Sequence, residues 1–582
     1  MEMHCTVALG TQDEILSMAQ EIQLPLADGG VYTWCVAKPQ LVLQHLAAQS
    51  PSLRRSLQRA PNSIEQPWGI VHYHDDVTAG HLLSPSHSRS FTAFRFTFKQ
   101  FGNHLRSCQE MWIEYAFLRT SICEQIDGGM AFIFRILMRL FFTGDSSFKD
   151  VGVYIEGIPK IIFAVNECLI ADGKAQSLTY DFKGSNPIAV CQRCCNVVKK
   201  GCLSGDAALP NADGKLVEMQ NCTTLRNCVA NTNDAIFAHA DELHNMKTLV
   251  DAKRIYKKTF EMAEIACGIK SNPRGLFLDK GLRPFCAPLD VLRCDWAHIY
   301  LCKGIGGSEL WALLARAKAR KITYRDFRAE IRKWTSSGYM RSQMAGASAI
   351  FSEQRAQAHK DADCWKSTAG EFLLVYPILH VFVLTHLSEL LPDETQSFAR
   401  LCSVLDCIVS MKRDSVTSSR LDLLRRTISE HFDLHIRVYG DQYVTPKWHD
   451  ALHLPDQYRR DGCVYDTLCN ERYHQCVKAF ANNKRSYFAN FDRYLICRSL
   501  ASQTLRLQAF NELPHLGEEV WCEDLQCYIS AKLSYHGLHV ELDDFVIGRG
   551  EVIQVVACGR HGGTHCLYGH ATQVELWCSQ IS

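Results

Sequence analysis

What the chain lacks narrows the reading first. It has almost no net charge, with 63 Lys and Arg against 62 Asp and Glu. No global basic field advertises nucleic acid, so any such contact must rest on local patches. No transmembrane helix and no membrane partner are expected, since neither of its apolar stretches reaches the roughly 20 residues that a span needs. Ala131–Phe142 is broken by Arg135 and Arg139, and Phe372–Leu384 contains Pro377 and His380. The segment MEMHCTVALGTQDEILS lacks a basic stretch followed by an apolar one, which argues against secretion. No repeat or low-complexity tract stands out. Hydrophobic content of 47 % over 582 residues excludes wholesale disorder and fits roughly three or four domains.

Cysteine and histidine are plentiful, at 27 and 24. The cysteine fraction stays well below the roughly 8–10 % of disulfide scaffolds, and the count is odd. The expectation is a reducing compartment with free thiols, a few of which bind metal.

Hydrophobic periodicity divides the chain. Residues 1–64 read as short helices. Trp68–Asp75 (WGIVHYHD), Phe91–Phe98 (FTAFRFTF) and Met111–Arg119 (MWIEYAFLR) read as strands. Asp127–Phe142 has helical spacing. Val151–Glu156 and Pro159–Ala171 read as a further strand pair. Three antiparallel strands, a crossover helix and a fourth strand parallel to the first is how a ribonuclease H-like α/β core begins. Asp75 and Asp172 end the first and fourth strands, so this topology brings two carboxylates to one sheet edge. Residues 176–245 form a Cys-rich, zinc-type loop region and 246–445 a helical insertion. Residues 446–513 return to the core, and 514–582 read as a small β-rich domain.

Several constellations carry chemistry. Paired carboxylates suit hard divalent cations, whose charge relieves their repulsion. Cys191-Gln192-Arg193-Cys194 has the spacing of half a zinc site, with Cys222 and Cys228 the candidate partners and His239 and His244 the alternative pair. Pro446–Lys478 gathers His449, His453, Glu471 and His474; Glu471, His474 and Lys478 share a helical face, offering a third acid. Cys294-Asp295-Trp296-Ala297-His298 places Asp and His within one turn, for metal, phosphate or structure. Arg316–Lys333 is the strongest basic run, and Arg316, Lys318, Arg320, Lys321, Arg325 and Arg328 are its candidate DNA-phosphate contacts. Cys558, His561, Cys566 and His570 have a zinc-compatible spacing in an unusual ligand order.

In order, several of these segments resemble the Kyakuja–Dileera–Zisupton and Plavaka-like DNA transposases. Tyr73–Thr78 (YHDDVT) and Leu169–Gly173 (LIADG) resemble the segments that hold that group's first two catalytic Asp residues. Phe182–Val197 resembles the Lys-Gly loop and C-x-x-C that follow, although the loop here runs Lys183-Gly184-Ser185-Asn186-Pro187. Cys294–Gly304 resembles an Asp-x-x-His block; Pro446–Pro455 and Glu471–His474 resemble the late segments, with Glu as third acid. The resemblance covers about residues 65–485. It implies a ribonuclease H-like core split by a helical insertion, nuclear location, and Mg²⁺- or Mn²⁺-dependent DNA cleavage and strand transfer by Asp75, Asp172 and Glu471. A homo-oligomer follows if the chain is active. Asp76, adjacent to Asp75, is an alternative first acid. The alternatives in function are a catalytically silent, zinc-stabilised DNA-binding or scaffold protein derived from a transposase, and a metal-dependent nuclease of the same fold.

Overall fold

A computed structural model describes residues 9–78, 90–184, 188–202, 215–333, 348–362, 364–482 and 490–510, together with strands between 515 and 580. The chain divides into two compact units. One comprises residues 1–306 and 403–507, the other 307–402 and 508–582.

The first unit is built on a mixed seven-stranded sheet. Its strands are β1 (Ala19–Pro25), β2 (Val31–Ala37), β3 (Trp68–Val77), β4 (Phe91–Phe98), β5 (Ile113–Arg119), β6 (Ala164–Ile170) and, after two short strands β7 (Val197–Val198) and β8 (Val217–Glu218), β9 (Leu292–Arg293). The spatial order is β1-β2-β5-β4-β3-β6-β9. β3, β4 and β5 pair antiparallel, whereas β6 lies parallel to β3 and β9 parallel to β6. The expected α/β order of three antiparallel strands, a helix and a parallel fourth is therefore present.

Every residue of β4 is buried, so both faces of the sheet are covered. One face is aromatic. The helix Gly129–Phe142 sets Phe134 and Phe141 against His72, His74 and Phe96, with the His72 and Phe141 rings 4.7 Å apart. On the other face Arg95 donates to Glu114 at 2.8 Å, both side chains fully buried. The Arg95 guanidinium also lies 4.2 Å from the centre of the Tyr473 ring and donates to the Asn470 carbonyl at 3.3 Å. It thereby fastens the helix Leu468–Ala481 to the sheet.

Several expectations change. Residues 1–64 are not purely helical, because β1 and β2 form a hairpin that joins the sheet through β5. Val31–Ala37 (VYTWCVA) has strand composition, and Gly29 supplies the positive φ of +89° in the turn. Val151–Glu156 contributes only a bridge between Val153 and Ile162, and β6 starts at Ala164 rather than Pro159. The stretch 246–306 belongs with the sheet and carries β9, so the separate unit inserted before the late helices is 307–402.

In that second unit, Ala369–His386 is long and apolar enough to cross a membrane, with 44 % of the stretch buried in the protein. A capping box at Thr368 and Glu371 starts it, and the helix ends at His386. The described C-terminal strands between His515 and Gln580 are all paired antiparallel, as in a β-rich domain. Cys558, His561, Cys566 and His570 fall on two paired strands there, and their side chains lie outside the described residues.

Breaking the Arg95–Glu114 pair leaves an uncompensated buried charge. Arg95→Met alone should cost about 3–5 kcal/mol, and Arg95→Met/Glu114→Leu should recover most of it. Thermal unfolding of the three proteins checks this; equal losses in single and double variants would refute the account.

Candidate functional site

Strand register places the acids. Tyr73 aligns with Ile170, and Ile170 with Arg293, across the parallel strands β3, β6 and β9. Two residues beyond each lie Asp75, Asp172 and Asp295, so three carboxylates emerge along one edge. Asp172 and Asp295 each begin a helix. Asp172 accepts from the Ala175 amide at 2.6 Å and Asp295 from the Ala297 amide at 3.0 Å. Asp is a favoured N-cap because its oxygen satisfies an orphan amide.

The acids then diverge. The second oxygen of Asp295 accepts from Thr467 at 2.7 Å and lies 2.6 Å from His298 Nδ1, so its capacity is largely taken. His298 Nε2 lies 3.3 Å from the Glu471 carboxylate, making His298 the link between Asp295 and the third acid. Asp75 accepts from the Asp76 amide at 2.7 Å and from the Tyr73 hydroxyl at 3.3 Å. Tyr73 in turn sits 3.2 Å from His474 Nε2. The alternative first acid, Asp76, points to the other face, where Thr92 donates to it at 2.7 Å. Asp75 is thus the member of the pair that shares a site with Asp172.

The electrostatics match crowded carboxylates. Burial, then the charges of Asp172 and Glu471, push Asp75 up to about 7. Burial also raises Glu471, with Asp295 and Asp172 adding to it and His298 offsetting it. Burial opposes protonation of His298, but Asp295, Glu471 and Asp172 outweigh it and hold the imidazolium to about 9. The three acids Asp75, Asp172 and Glu471 are not all within 4.8 Å of one another among the described residues. All three offer oxygen donors of the kind that hard divalent cations take.

A second constellation is softer. Cys191, Cys194, His449 and His453 are all buried, with their ligand atoms within 4.8 Å of one another, and could hold a metal ion. His453 Nε2 lies 3.4 Å from Cys191 Sγ, 3.5 Å from Cys194 Sγ and 3.2 Å from His449 Nε2. His449 lies on the helix Pro446–Leu452 and His453 follows four residues later, so the pair shares a face. Burial opposes ionisation of Cys191, yet the Cys194 thiol and the two imidazoles hold it well below the ordinary thiol range. Two thiolates and two imidazoles are a donor set suited to tetrahedral zinc. The expected ligand Cys222 lies instead beside Cys228, their sulfurs 4.0 Å apart, in a second group with His449. His239 and His244 stand outside both groups.

The basic run is two helices, Ile305–Ala319 and Tyr324–Lys333, with Lys321 at φ +66° in the turn between them. Arg316, Lys318, Arg320, Lys321 and Arg325 are exposed, and Arg328 is half-buried. Arg316 pairs with Glu394 and Arg325 with Glu353. These cations are not gathered on one continuous helical face, because the turn interrupts the periodicity.

Beside the acids is a cavity of about 550 Å³ in the first unit, bounded by Lys174, Arg193, Leu289, His298, Lys303 and Lys447 among others. Lys447 Nζ caps the end of the helix Trp296–Tyr300 by donating to the carbonyls of His298 and Cys302 at 2.7 and 3.0 Å.

Sequence reading did not assign His449 and His453 to the C-x-x-C, nor His298 to Glu471. The i, i+4 spacing of the two histidines was the available signal for the first. The second needs the alignment of β9 with β6, a two-residue pairing without a periodic signature.

Below about pH 4 an Asp75 carboxyl is protonated in both folded and unfolded chains. As pH rises toward 7 the unfolded carboxyl ionises and the folded one resists, so stability falls by an amount on the order of 2–4 kcal/mol. In chelator, Asp75→Asn should therefore unfold at a higher temperature than the native protein at pH 8, and the gap should close near pH 4. Millimolar Mg²⁺ or Mn²⁺ should raise the native midpoint and not that of the variant; no response of the native protein would argue against a cation there. For the sulfur site, a Cys191→Ser/Cys194→Ser protein should lose zinc by elemental analysis, and an unchanged content would refute that assignment. No protein-family model matches the chain, and no curated protein matches it.

Proposed function

We propose that the chain is a transposase-derived DDE-type nucleotidyl transferase with a ribonuclease H-like core. Asp75, Asp172 and Glu471 are its metal-binding acids, and DNA is its substrate. The observation that carries this reading is the register. Asp75 and Asp172 stand at equal offsets beyond neighbouring parallel strands, and Glu471 is tied to the same edge through His298. The order β5-β4-β3-β6-β9, with β6 and β9 parallel to β3, supports the fold assignment. The position of the 307–402 unit, between β9 and the helix bearing Glu471, agrees with an interrupted core.

Bound Mg²⁺ or Mn²⁺ would supply positive charge to the attacking and leaving oxygens of an in-line phosphoryl displacement. The chain's own groups would do the rest. Asp75, Asp172 and Glu471 hold the cations, Tyr73 orients Asp75, and His298 orients Glu471 from its fixed place on Asp295. Water attacks a phosphodiester first, leaving a 5′-phosphate and a free 3′-hydroxyl. That hydroxyl then attacks a second phosphodiester, forming one bond and expelling another 3′-oxygen. Lys318, Arg320 and Lys321 are the candidate backbone contacts, and their neutralisation of phosphates would make binding salt-dependent. Zinc at the Cys191 group is structural in this reading. Work on DNA implies a nuclear location and paired copies at two DNA ends.

One observation favours a second reading, a catalytically silent DNA-binding scaffold: Glu471 is engaged by His298 and the three acids are spread. Purified full-length protein with Mg²⁺ or Mn²⁺ should nick plasmid DNA, and Asp172→Asn should reduce the rate by at least about a hundredfold. Folded protein that binds DNA without cutting it would favour the scaffold. Cutting without joining of ends into a target would favour a nuclease of the same fold.

A further inference from the structure

The sulfur site holds more ligands than one tetrahedral ion can use. The two groups of clustered side chains share His449, and together they contain Cys191, Cys194, Cys222, Cys228, His449 and His453. The sulfurs form a continuous series. Cys194 stands with Cys191 in one group and interacts electrostatically with both Cys191 and Cys228, and Cys228 reaches Cys222 at 4.0 Å in the other. The rings close the other side. His453 Nε2 faces Cys191 and Cys194, while His449 reaches toward the Cys222 and Cys228 sulfurs as well as toward His453. The second ring nitrogen, His449 Nδ1, is buried with no hydrogen-bond partner.

We propose that this cluster binds two thiophilic divalent ions, zinc foremost. One is held by Cys191, Cys194 and His453, the other by Cys222, Cys228 and His449, with the Cys194 thiolate shared between them. The charge closes: four thiolates balance two divalent cations, so the buried cluster is neutral, as a low-dielectric site requires. Six side chains with one bridging thiolate leave a single position for water or a second bridge. Each thiol releases one proton to solvent on binding, and no oxidant or reductant takes part. The apolar wall of Val197, Met219 and Val217 keeps water from competing for the ligands. Two ions tie three stretches of chain together: the C-x-x-C loop, the Cys222–Cys228 turn and the helix that begins at Pro446.

The test counts metal on untagged full-length protein purified without chelator. Elemental analysis and native mass spectrometry should give two zinc ions per chain. The cadmium-substituted protein should give two ¹¹³Cd resonances coupled through the shared thiolate. X-ray absorption at the zinc edge should show metal–metal scattering near about 3.5 Å. Cys222→Ser/Cys228→Ser should retain one ion and one resonance. If that variant fails to fold, the native count and the metal–metal vector still decide. One zinc per chain, with Cys222 and Cys228 either open to alkylation or joined as a disulfide, overturns the proposal. DNA cleavage plays no part in these readouts, so the result stands apart from the transferase reading.

Discussion

The parallel pairing of β3, β6 and β9 is the constraint on which the acid site depends. Parallel strands point their C-terminal ends the same way, so residues at equal distance past a register row emerge together whatever their separation in sequence. Asp75, Asp172 and Asp295 occupy that row's exits. The same geometry makes the site unfavourable to folding on its own, since it crowds carboxylates at a partly desolvated edge. That cost is tolerable because the rest of the sheet is heavily buried, with an aromatic layer on one face and helices on the other.

The chain uses its acids differently. Asp295 is a structural acid, as it caps a helix, accepts from Thr467 and fixes His298. His298 then presents a positive group to Glu471. Arg95, answered by Glu114, helps hold the helix Leu468–Ala481 on the sheet and so brings Glu471 to the edge. A buried ion pair contributes little net stability compared with apolar packing, but it leaves one orientation in which every charge is answered. Orientation is what a third acid arriving from far along the chain requires.

The legible part of this architecture is the part written in local periodicity. Trp68–Asp75 and Phe91–Phe98 are unmistakable as strands because β-branched and aromatic residues dominate them. Asp75 and Asp172 were marked by their place at the ends of such runs. The hairpin β1–β2 was obscured because Ala19–Pro25 (AQEIQLP) is half-exposed and largely polar. The break in the basic run at Lys321 was hidden because charge spacing alone does not register a single residue with positive φ. The partnership of His453 with Cys191 spans 262 residues, and no short-range rule reaches that far.

That long reach has a mechanical meaning. The chain leaves the sheet after β9, passes through the 307–402 unit, and must then deliver Glu471 to an edge it left much earlier. Closing so long a loop carries an entropic cost, and a flexible return would leave the third acid unplaced. Two clamps act on the returning segment before it reaches Glu471. His449 and His453 dock on the Cys191 loop, and Asp461 at the end of the next helix accepts from Arg293 of β9 at 2.6 Å, both side chains buried. Each clamp fixes one helix, and the helix Leu468–Ala481 follows within seven residues of the second. The soft, sulfur-lined cluster and the hard, oxygen-lined edge are therefore coupled by geometry. A metal held by the first would narrow the positions available to Glu471 at the second, without any ligand being shared between them.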